Sequence, residues 1–140
     1  MSFLLDTNIV SEWVKPRPDA GVVTWLADVD EDRVFLSVMS IAELRFGIER
    51  MPQGLRRNRL ALWLRDELPR RFENRILPVT ALVADTWGQV LARSQATGQT
   101  ISIMDGFLAA TAEVHGLTMV TRNVSGFSVL GHSVLNPWNT

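Results

Sequence analysis

Short, wholly apolar runs alternate along this chain with longer segments whose apolar residues recur at helical spacing. The apolar runs are the length of buried strands, and small polar residues or glycines bound them. The predicted strands are Phe3–Leu5, Val34–Val38, Ile76–Val79, Leu117–Thr121 and a last one within Val129–Leu135. Strands that alternate with helices favour an α/β fold, in which helices cover both faces of a parallel sheet.

Helix boundaries are marked by proline, by small polar residues and by glycine. Ile9–Val14 is predicted to be helical until Pro16, and Leu55–Leu68 is predicted to form one long amphipathic helix. The residues predicted to cap helices are Asp19, Ser40, Thr80 and Ser102 at N-termini and Gly116 at a C-terminus.

The length of 140 residues suits one domain. Fourteen basic and fifteen acidic side chains give a net charge of -1, which excludes a polybasic nucleic-acid binder but not a nucleic-acid enzyme. The absence of cysteine excludes disulfides, thiolate metal sites and cysteine nucleophiles. The longest apolar run, Leu60–Leu64, is far shorter than the roughly 20 residues of a membrane span. Because the N-terminus also lacks the features of a signal peptide, we expect a cytoplasmic protein.

Four oxygen-bearing side chains follow predicted strands or begin predicted helices. Asp6 directly follows the first strand, and Glu43 lies in the first turn of the helix after the second strand. Asp105 lies in the first turn of a later helix, and Asn123 follows the fourth strand. Chemistry in parallel sheets sits at the carboxyl ends of the strands, so we expect these side chains to converge there. Three carboxylates and an amide oxygen suit Mg²⁺ or Mn²⁺.

Each position also has a local explanation. Asp6 can cap the first helix, and Asn123 can be an ordinary turn residue. Ser40–Glu43 matches a capping box, and Ser102–Asp105 matches the same pattern with Asp in place of Glu. A shared site is favoured by the set of four rather than by any one of its members.

Short motifs follow one another along the chain: Leu4–Asn8, Ser40–Leu44, Met104–Gly106, Ala109–Ala112, Thr121–Asn123 and Asn136–Trp138. In this order they resemble the PIN-domain family, and most closely its toxins of the VapC and FitB type. The resemblance covers essentially the whole chain. It implies a single PIN domain over residues 1–140, built as a three-layer α/β/α sandwich with a central, mainly parallel sheet of four to five strands.

The resemblance further implies a metal-dependent endoribonuclease that is the toxin of a type II toxin–antitoxin pair. Asp6, Glu43 and Asp105 match the three most regular acids of the family, and Asn123 stands at a fourth position that is often Asp. Many members carry another acid where this chain has Gly126. We therefore expect one tightly held Mg²⁺ and a second ion recruited with the substrate.

The expected chemistry follows from this type of site. Mg²⁺, or Mn²⁺ in its place, lowers the pKa of a bound water and polarises the phosphate. That water is expected to attack phosphorus in line, leaving a 5′ phosphate and a 3′ hydroxyl. Thr7, Asn8 and Thr121 are expected to orient the carboxylates through hydrogen bonds.

Family resemblance also implies the partners. They are a cognate antitoxin, an RNA substrate and a second copy of the chain, with DNA contacted only through the antitoxin. We expect a homodimer and a hetero-oligomer with the antitoxin, and no contact with a membrane.

Arginines are concentrated in one stretch of the chain. Nine of the fourteen basic residues lie between Arg45 and Arg75, together with four acids, so this stretch carries +5 and the remainder -6. Arg56, Arg57 and Arg59 are candidates for one wall of an RNA groove, because arginine binds phosphate bidentately and stacks on bases. A solvated helix face is the alternative explanation.

Other classes that place Asp after a first strand fit less well. A haloacid-dehalogenase-type phosphatase needs a second Asp where this chain has Asn8, and a receiver domain needs a late Lys, whereas Lys15 is the only one. A DNA-processing 5′ nuclease of related fold is disfavoured by the short length. A catalytically silent PIN fold that binds a protein partner stays open, because Asn123 and Gly126 stand where acids are common.

Overall fold

The computed structural model describes residues 1–139 and contains a single sheet of parallel strands. The strands are β1 (Phe3–Leu5), β2 (Val34–Ser37), β3 (Ile76–Leu77), β4 (Thr118–Val120) and β5 (Val134–Leu135). The first four helices are α1 (Thr7–Glu12), α2 (Ala20–Asp28), α3 (Val38–Glu49) and α4 (Leu55–Leu62). The later ones are α5 (Leu68–Arg71), α6 (Ala81–Ala96), α7 (Ile103–His115) and α8 (Val124–Ser128). The α/β fold predicted from the alternation is confirmed.

The strands lie in the order β3-β2-β1-β4-β5, so the first strand of the chain is the middle of the sheet. It pairs in parallel with β2 on one side and with β4 on the other. All carboxyl ends therefore lie at one edge, where the loops that follow β1, β2 and β4 meet.

Two hydrophobic clusters cover the two faces of the sheet. Leu5 packs among α1 to α5 on one face, with Leu64, Leu68 and Phe72, whereas Leu4 packs among α6, α7 and α8 on the other. Adjacent residues of β1 serve opposite faces because successive side chains of a strand alternate. This arrangement is the expected three-layer sandwich.

Most of the predicted helix ends are confirmed. The side chains of Asp19, Thr80 and Ser102 accept backbone hydrogen bonds at N-termini, and Gly116 ends α7 in the left-handed conformation at φ 66°. The prediction for Ser40 is wrong. Ser37 caps α3 instead and accepts from the amide of Met39, because β2 ends one residue before the helix starts.

The long helix predicted over Leu55–Leu68 is interrupted by a wider turn. Residues Trp63–Glu67 form a π-helical turn between α4 and α5, and the helical path continues to Arg71. Apolar residues four apart drift by about 40° per step around a regular α-helix. The wider turn offsets that drift, so that Leu64 and Leu68 both stay in the core.

Other boundaries differ by a few residues. The first helix begins at Thr7 rather than Ile9 and ends at Glu12, because Asp6 caps it. The strands predicted over Val34–Val38 and Ile76–Val79 end earlier, at Ser37 and Leu77. Within Val129–Leu135 only the last two residues are a strand, and helix α8 before it was not predicted. None of the described helices combines the length and hydropathy that crossing a membrane requires.

Candidate active site

Asp6 occupies the point where the central strand β1 turns into α1. Its Oδ1 accepts a hydrogen bond from the amide of Thr7 at 2.7 Å, and its Oδ2 accepts one from the Thr121 hydroxyl at 2.6 Å. Only 6% of the residue is exposed. The local explanation as a helix cap and the predicted place at the strand end are therefore both correct. Thr121, directly after the neighbouring strand β4, fixes the carboxylate.

Glu43 reaches the same edge from the second turn of α3, not from the first turn as predicted. The Thr7 hydroxyl donates to Glu43 Oε1 at 2.7 Å and lies 3.0 Å from the hydroxyl of Ser40. Ser40 is fully buried. The Ser40–Glu43 pattern is thus not a capping box. It places two side chains on one face of α3, where both contact Thr7.

Asp105 lies in the first turn of α7, as predicted, and its amide donates to the Ser102 hydroxyl at 3.1 Å. The helix start is set by close packing against α6. The indole nitrogen of Trp87 donates to the carbonyl of Ile103 at 3.3 Å. A Cβ added to Gly106 would lie 3.1 Å from that nitrogen, so a larger residue here would require the Trp87 ring to shift by a few tenths of an ångström.

Asn123 follows β4 and reaches Asp105 from the other side. Its side-chain nitrogen donates to Asp105 Oδ2 at 3.4 Å, and its amide donates to the Thr121 hydroxyl at 2.9 Å. A Cβ on Gly126 would lie 2.6 Å from the Asn123 side-chain nitrogen. The two departures from the family pattern therefore fit each other, because the Asn123 amide occupies the space above Gly126.

Burial and neighbouring carboxylates perturb the ionisation of Asp6. Burial raises the pKa of Asp6 to about 6, and the charges of Asp105 and Glu43 add to the increase, against the opposing hydrogen bonds from Thr121 and Thr7. Burial also raises the pKa of Asp105. The negative charges of Asp105 and Glu43 are thus close enough to Asp6 to disfavour its charged form.

The role predicted for Asn8, orienting a carboxylate, stays a prediction. Its Oδ1 is buried and has no hydrogen-bond partner among residues 1–139. Thr7 and Thr121 do bond to carboxylates as predicted. Ser40 was missed as a site residue, although its spacing of three from Glu43 could have indicated a shared helix face.

The donor chemistry of this edge fits a divalent cation. In the part of the chain that the structure describes, no three acidic or histidine side chains approach closely enough to form a ready metal cage. Mg²⁺ usually keeps several waters and needs only one or two direct carboxylates. Oxygen-only donors at a partly buried sheet edge, where burial raises the pKa of Asp6 and Asp105, are therefore suitable for a hydrated Mg²⁺ or Mn²⁺.

A groove leads away from the carboxylates along α1, α3 and α4. A cavity of about 320 Å³ is lined by Thr7, Glu43 and Arg56 among others, and it adjoins a second cavity of about 690 Å³ that Arg59 lines. Arg57 is separate from them. Its guanidinium is paired with Glu49 at 2.6 Å.

Comparison with known proteins identifies the class. The PIN domain family matches residues 3–131, and the chain belongs to this family. Over 97% of its length it is 38% identical to Toxin FitB of Neisseria gonorrhoeae, of which 98% is covered. It is 36% identical to VapC ribonuclease Y4jK of Sinorhizobium fredii, with 96% of each chain covered. A solved structure of FitAB bound to an IR36 DNA fragment superposes with a TM-score of 0.91 at 35% identity, covering 97% of this chain and 95% of that one.

These similarities confirm the resemblance inferred from the motifs. The order of the motifs predicted a PIN domain similar to the VapC and FitB toxins, and relatives with both names match almost end to end. The fold predicted from that resemblance, a three-layer sandwich with a parallel sheet, is confirmed as well.

Proposed function

We propose that this protein is a metal-dependent endoribonuclease and the toxin of a type II toxin–antitoxin pair. The observation that carries the proposal is the meeting of Asp6, Glu43 and Asp105 at the carboxyl edge of the sheet, where burial and their charges raise the pKa of Asp6 to about 6. A relative named VapC ribonuclease supports the activity, and one named Toxin FitB supports the biological role.

Asp6, Glu43 and Asp105 are the residues that would hold Mg²⁺, with Mn²⁺ as a substitute. When bound, the ion supplies positive charge that polarises the scissile phosphate and lowers the pKa of water. Asn123, which contributes an amide in place of a carboxylate, leaves the site one negative charge short of an all-acid set. That difference favours one tightly held ion over two.

Two threonines, Thr121 and Thr7, hold the carboxylates of Asp6 and Glu43 in fixed orientations. The Thr121 hydroxyl donates to Asp6 Oδ2, and the Thr7 hydroxyl donates to Glu43 Oε1. Such hydrogen bonds fix the orientation of a ligand and reduce the freedom lost when a cation binds. The RNA backbone would approach along the groove in which Arg56 and Arg59 lie.

The partners follow from the relatives rather than from the site. The solved FitAB structure contains a second component and DNA. We propose by this analogy that an antitoxin binds the present chain, that the antitoxin makes the DNA contacts, and that the toxin dimerises. The proposed location is the cytoplasm, where an RNA substrate is available.

Cleavage of RNA by the purified chain tests the activity. Asp6→Ala and Asp105→Ala are expected to lower cleavage by at least about a hundredfold, because each removes a carboxylate from the cation site. Excess EDTA should abolish cleavage by the unaltered chain. Asp85→Ala is the matched control, because Asp85 is an exposed acid on α6 that bonds only to Gln89.

Retained cleavage in both site variants, or in EDTA, would overturn the metal-dependent mechanism. Growth arrest on expression, lost in Asp6→Ala, is the corresponding test of the toxin role.

A second candidate function is a protein-binding module without catalysis. The contact between Asn123 and Asp105 favours it, because the amide donor occupies a carboxylate oxygen that a cation would otherwise bind. A complete lack of turnover with every divalent ion, together with tight binding of the antitoxin, would select this candidate.

A further inference from the structure

Four of the five tryptophans pack against an aromatic ring or a guanidinium, and Trp63 is the exception among the described residues. Trp13 packs against Phe72, Trp25 against Phe3 and Trp87 against Phe107, and the guanidinium of Arg122 lies over Trp138. Throughout residues 1–139, no aromatic ring or guanidinium covers Trp63, although its edge packs against the core. A half-buried indole that borders a cavity is suited to stack on a flat ligand that enters it.

The helix geometry places Trp63 on the groove. The π-helical turn starts at this residue, and the bond from the amide of Leu68 to the carbonyl of Trp63 closes it. Trp63 lines both cavities that lead from the carboxylates. Wider turns of this kind occur often at functional sites. Here the turn keeps Leu64 in the core while its neighbour Trp63 borders the groove.

Two arginines next to Trp63 also lack partners. Arg45, Arg65 and Arg71 from the same basic stretch are ion-paired with carboxylates, as is Arg57. Neither Arg56 nor Arg59 has a carboxylate partner among the described side chains. Arg56 lines both cavities that Trp63 borders, and Arg59 lines the larger one.

We propose that Trp63, Arg56 and Arg59 form a subsite for one unpaired RNA nucleotide beside the cleavage site. Arg56 lines the same cavity as Glu43 and Thr7, so it is placed to hold the phosphate next to the cleaved bond. The indole of Trp63 stacks on the base, and Arg59 holds the next phosphate. Glu67, which also lines the larger cavity, repels phosphate but can accept a hydrogen bond from a base amine.

The substrate class follows from this arrangement. A base can stack on an indole only when it is not already stacked in a duplex, so the subsite selects single-stranded RNA or a loop. The inference rests on the proposed ribonuclease function and makes it more specific: RNA is cut at unpaired positions.

Binding of a short fluorescein-labelled single-stranded RNA to the Asp6→Asn chain tests the subsite without cleavage. Replacing Trp63 by Leu in this chain should weaken binding by about 5- to 150-fold, the usual loss for one base stack, and Trp63→Phe should restore most of it. Quenching of tryptophan fluorescence by RNA should disappear in Trp63→Phe. A duplex of the same sequence should compete poorly.

The phosphate contacts proposed for Arg56 and Arg59 are tested by the salt dependence of RNA affinity. Arg56→Ala and Arg59→Ala should each reduce the slope of log affinity against log salt by about 0.7, the value for one phosphate contact on a single strand. Arg65→Ala should leave the slope unchanged, because Arg65 is paired with Asp66 and lines neither cavity. Thermal unfolding of every variant separates lost contacts from lost folding.

Equal RNA affinity of the Trp63→Leu variant and its parent, with unchanged thermal stability, would overturn the subsite and leave the groove to a peptide partner. Equal competition by duplex RNA would overturn it too. Cleavage by the unaltered chain is measured separately, so a failure of the subsite is distinguishable from a failure of the ribonuclease function.

Discussion

At the carboxyl edge of the sheet, the fold places one side chain, Asp6, in an environment that disfavours its charge. Asp6 is buried at the end of the central strand and faces two other acids, so its charged form is disfavoured in the native state. Its pKa is 3.8 for an unperturbed side chain and about 6 in the fold. Between pH 3.8 and pH 6, the carboxyl group of Asp6 is therefore protonated in the native state and ionised in the unfolded chain.

Stability is expected to fall as the pH rises. Below pH 3.8 Asp6 is protonated in both states, and above pH 6 it is charged in both, so the native state loses about 3 kcal/mol between them. Asp6→Asn removes this loss. We expect the free energy of unfolding of Asp6→Asn, relative to that of the unaltered chain, to increase by about that amount from pH 4 to pH 7. Denaturant unfolding at the two pH values measures it. Parallel pH profiles would contradict it.

Thr7 is expected to act through Glu43. Thr7→Val removes the hydroxyl that donates to Oε1 at 2.7 Å, and Glu43 then has to be immobilised when a cation binds. Affinity for Mn²⁺, measured by calorimetry, should drop about 10- to 100-fold. Thr7→Ser keeps the hydroxyl and should bind like the unaltered chain. Similar affinities for the Val and Ser variants would leave Thr7 with a structural role alone.

At the scale of elements, local signals were sufficient where a helix boundary depends on nearby residues. Ser102 caps α7 and Gly116 ends it, as their spacing predicts. Ser40 failed because the start of α3 depends on where β2 ends, and pairing with β3 fixes that point at Ser37. The π-helical turn at Trp63 could not be predicted either, because it depends on how Leu64 and Leu68 pack in the core.

The contact between α6 and α7 gives a matched pair of glycine variants. Gly88 lies on the exposed face of α6, and a Cβ added there would meet no neighbouring atom within 4 Å, so Gly88→Ala should stabilise the chain by about 1 kcal/mol. Gly106→Ala has the same helical propensity gain, but its Cβ meets Trp87 at 3.1 Å.

Thermal or denaturant unfolding distinguishes the two glycines. We expect Gly106→Ala to lose the gain that Gly88→Ala shows, and also to bind Mn²⁺ more weakly, because Asp105 stands next to Gly106 and the start of α7 has to move. Equal stabilisation by both variants would contradict this, because it would show that the Trp87 side chain can move to accommodate the added Cβ at no cost in stability.

For the molecule as a whole, the motifs predicted the acids but not their environment. Asp6, Glu43 and Asp105 were found because each stands near the end of a strand or the start of a helix. Ser40 and Trp63 depend on which elements meet in space, and a local pattern does not contain that information. The sheet order is the global fact that joins them, since it brings the loops after β1, β2 and β4 to one edge.

The whole chain is expected to unfold as a single domain. The two hydrophobic clusters share one sheet, and Leu4 and Leu5 of β1 belong to one cluster each, so neither cluster can open without exposing the other. Four of the five tryptophans pack on the Leu5 face, whereas the long helices α6 and α7 cover the Leu4 face.

Tryptophan fluorescence therefore reports mainly on the Leu5 face of the sheet, whereas the far-ultraviolet circular dichroism signal has a large contribution from the helices on the Leu4 face. Their denaturation midpoints should coincide. Separate midpoints would mean two units that unfold independently, which contradicts the single domain.

The central position of β1 has a consequence for synthesis. Asp6 emerges from the ribosome among the first residues, yet the hydroxyl that orients it belongs to Thr121, 115 positions later. At about 5–20 residues per second, translation of that interval takes roughly 6–23 s. During this time the nascent chain has its first carboxylate but not the strand beside it. The hydrogen bond that orients Asp6 can therefore form only after Thr121 has been synthesised, and a chain that terminates before this residue lacks the hydroxyl.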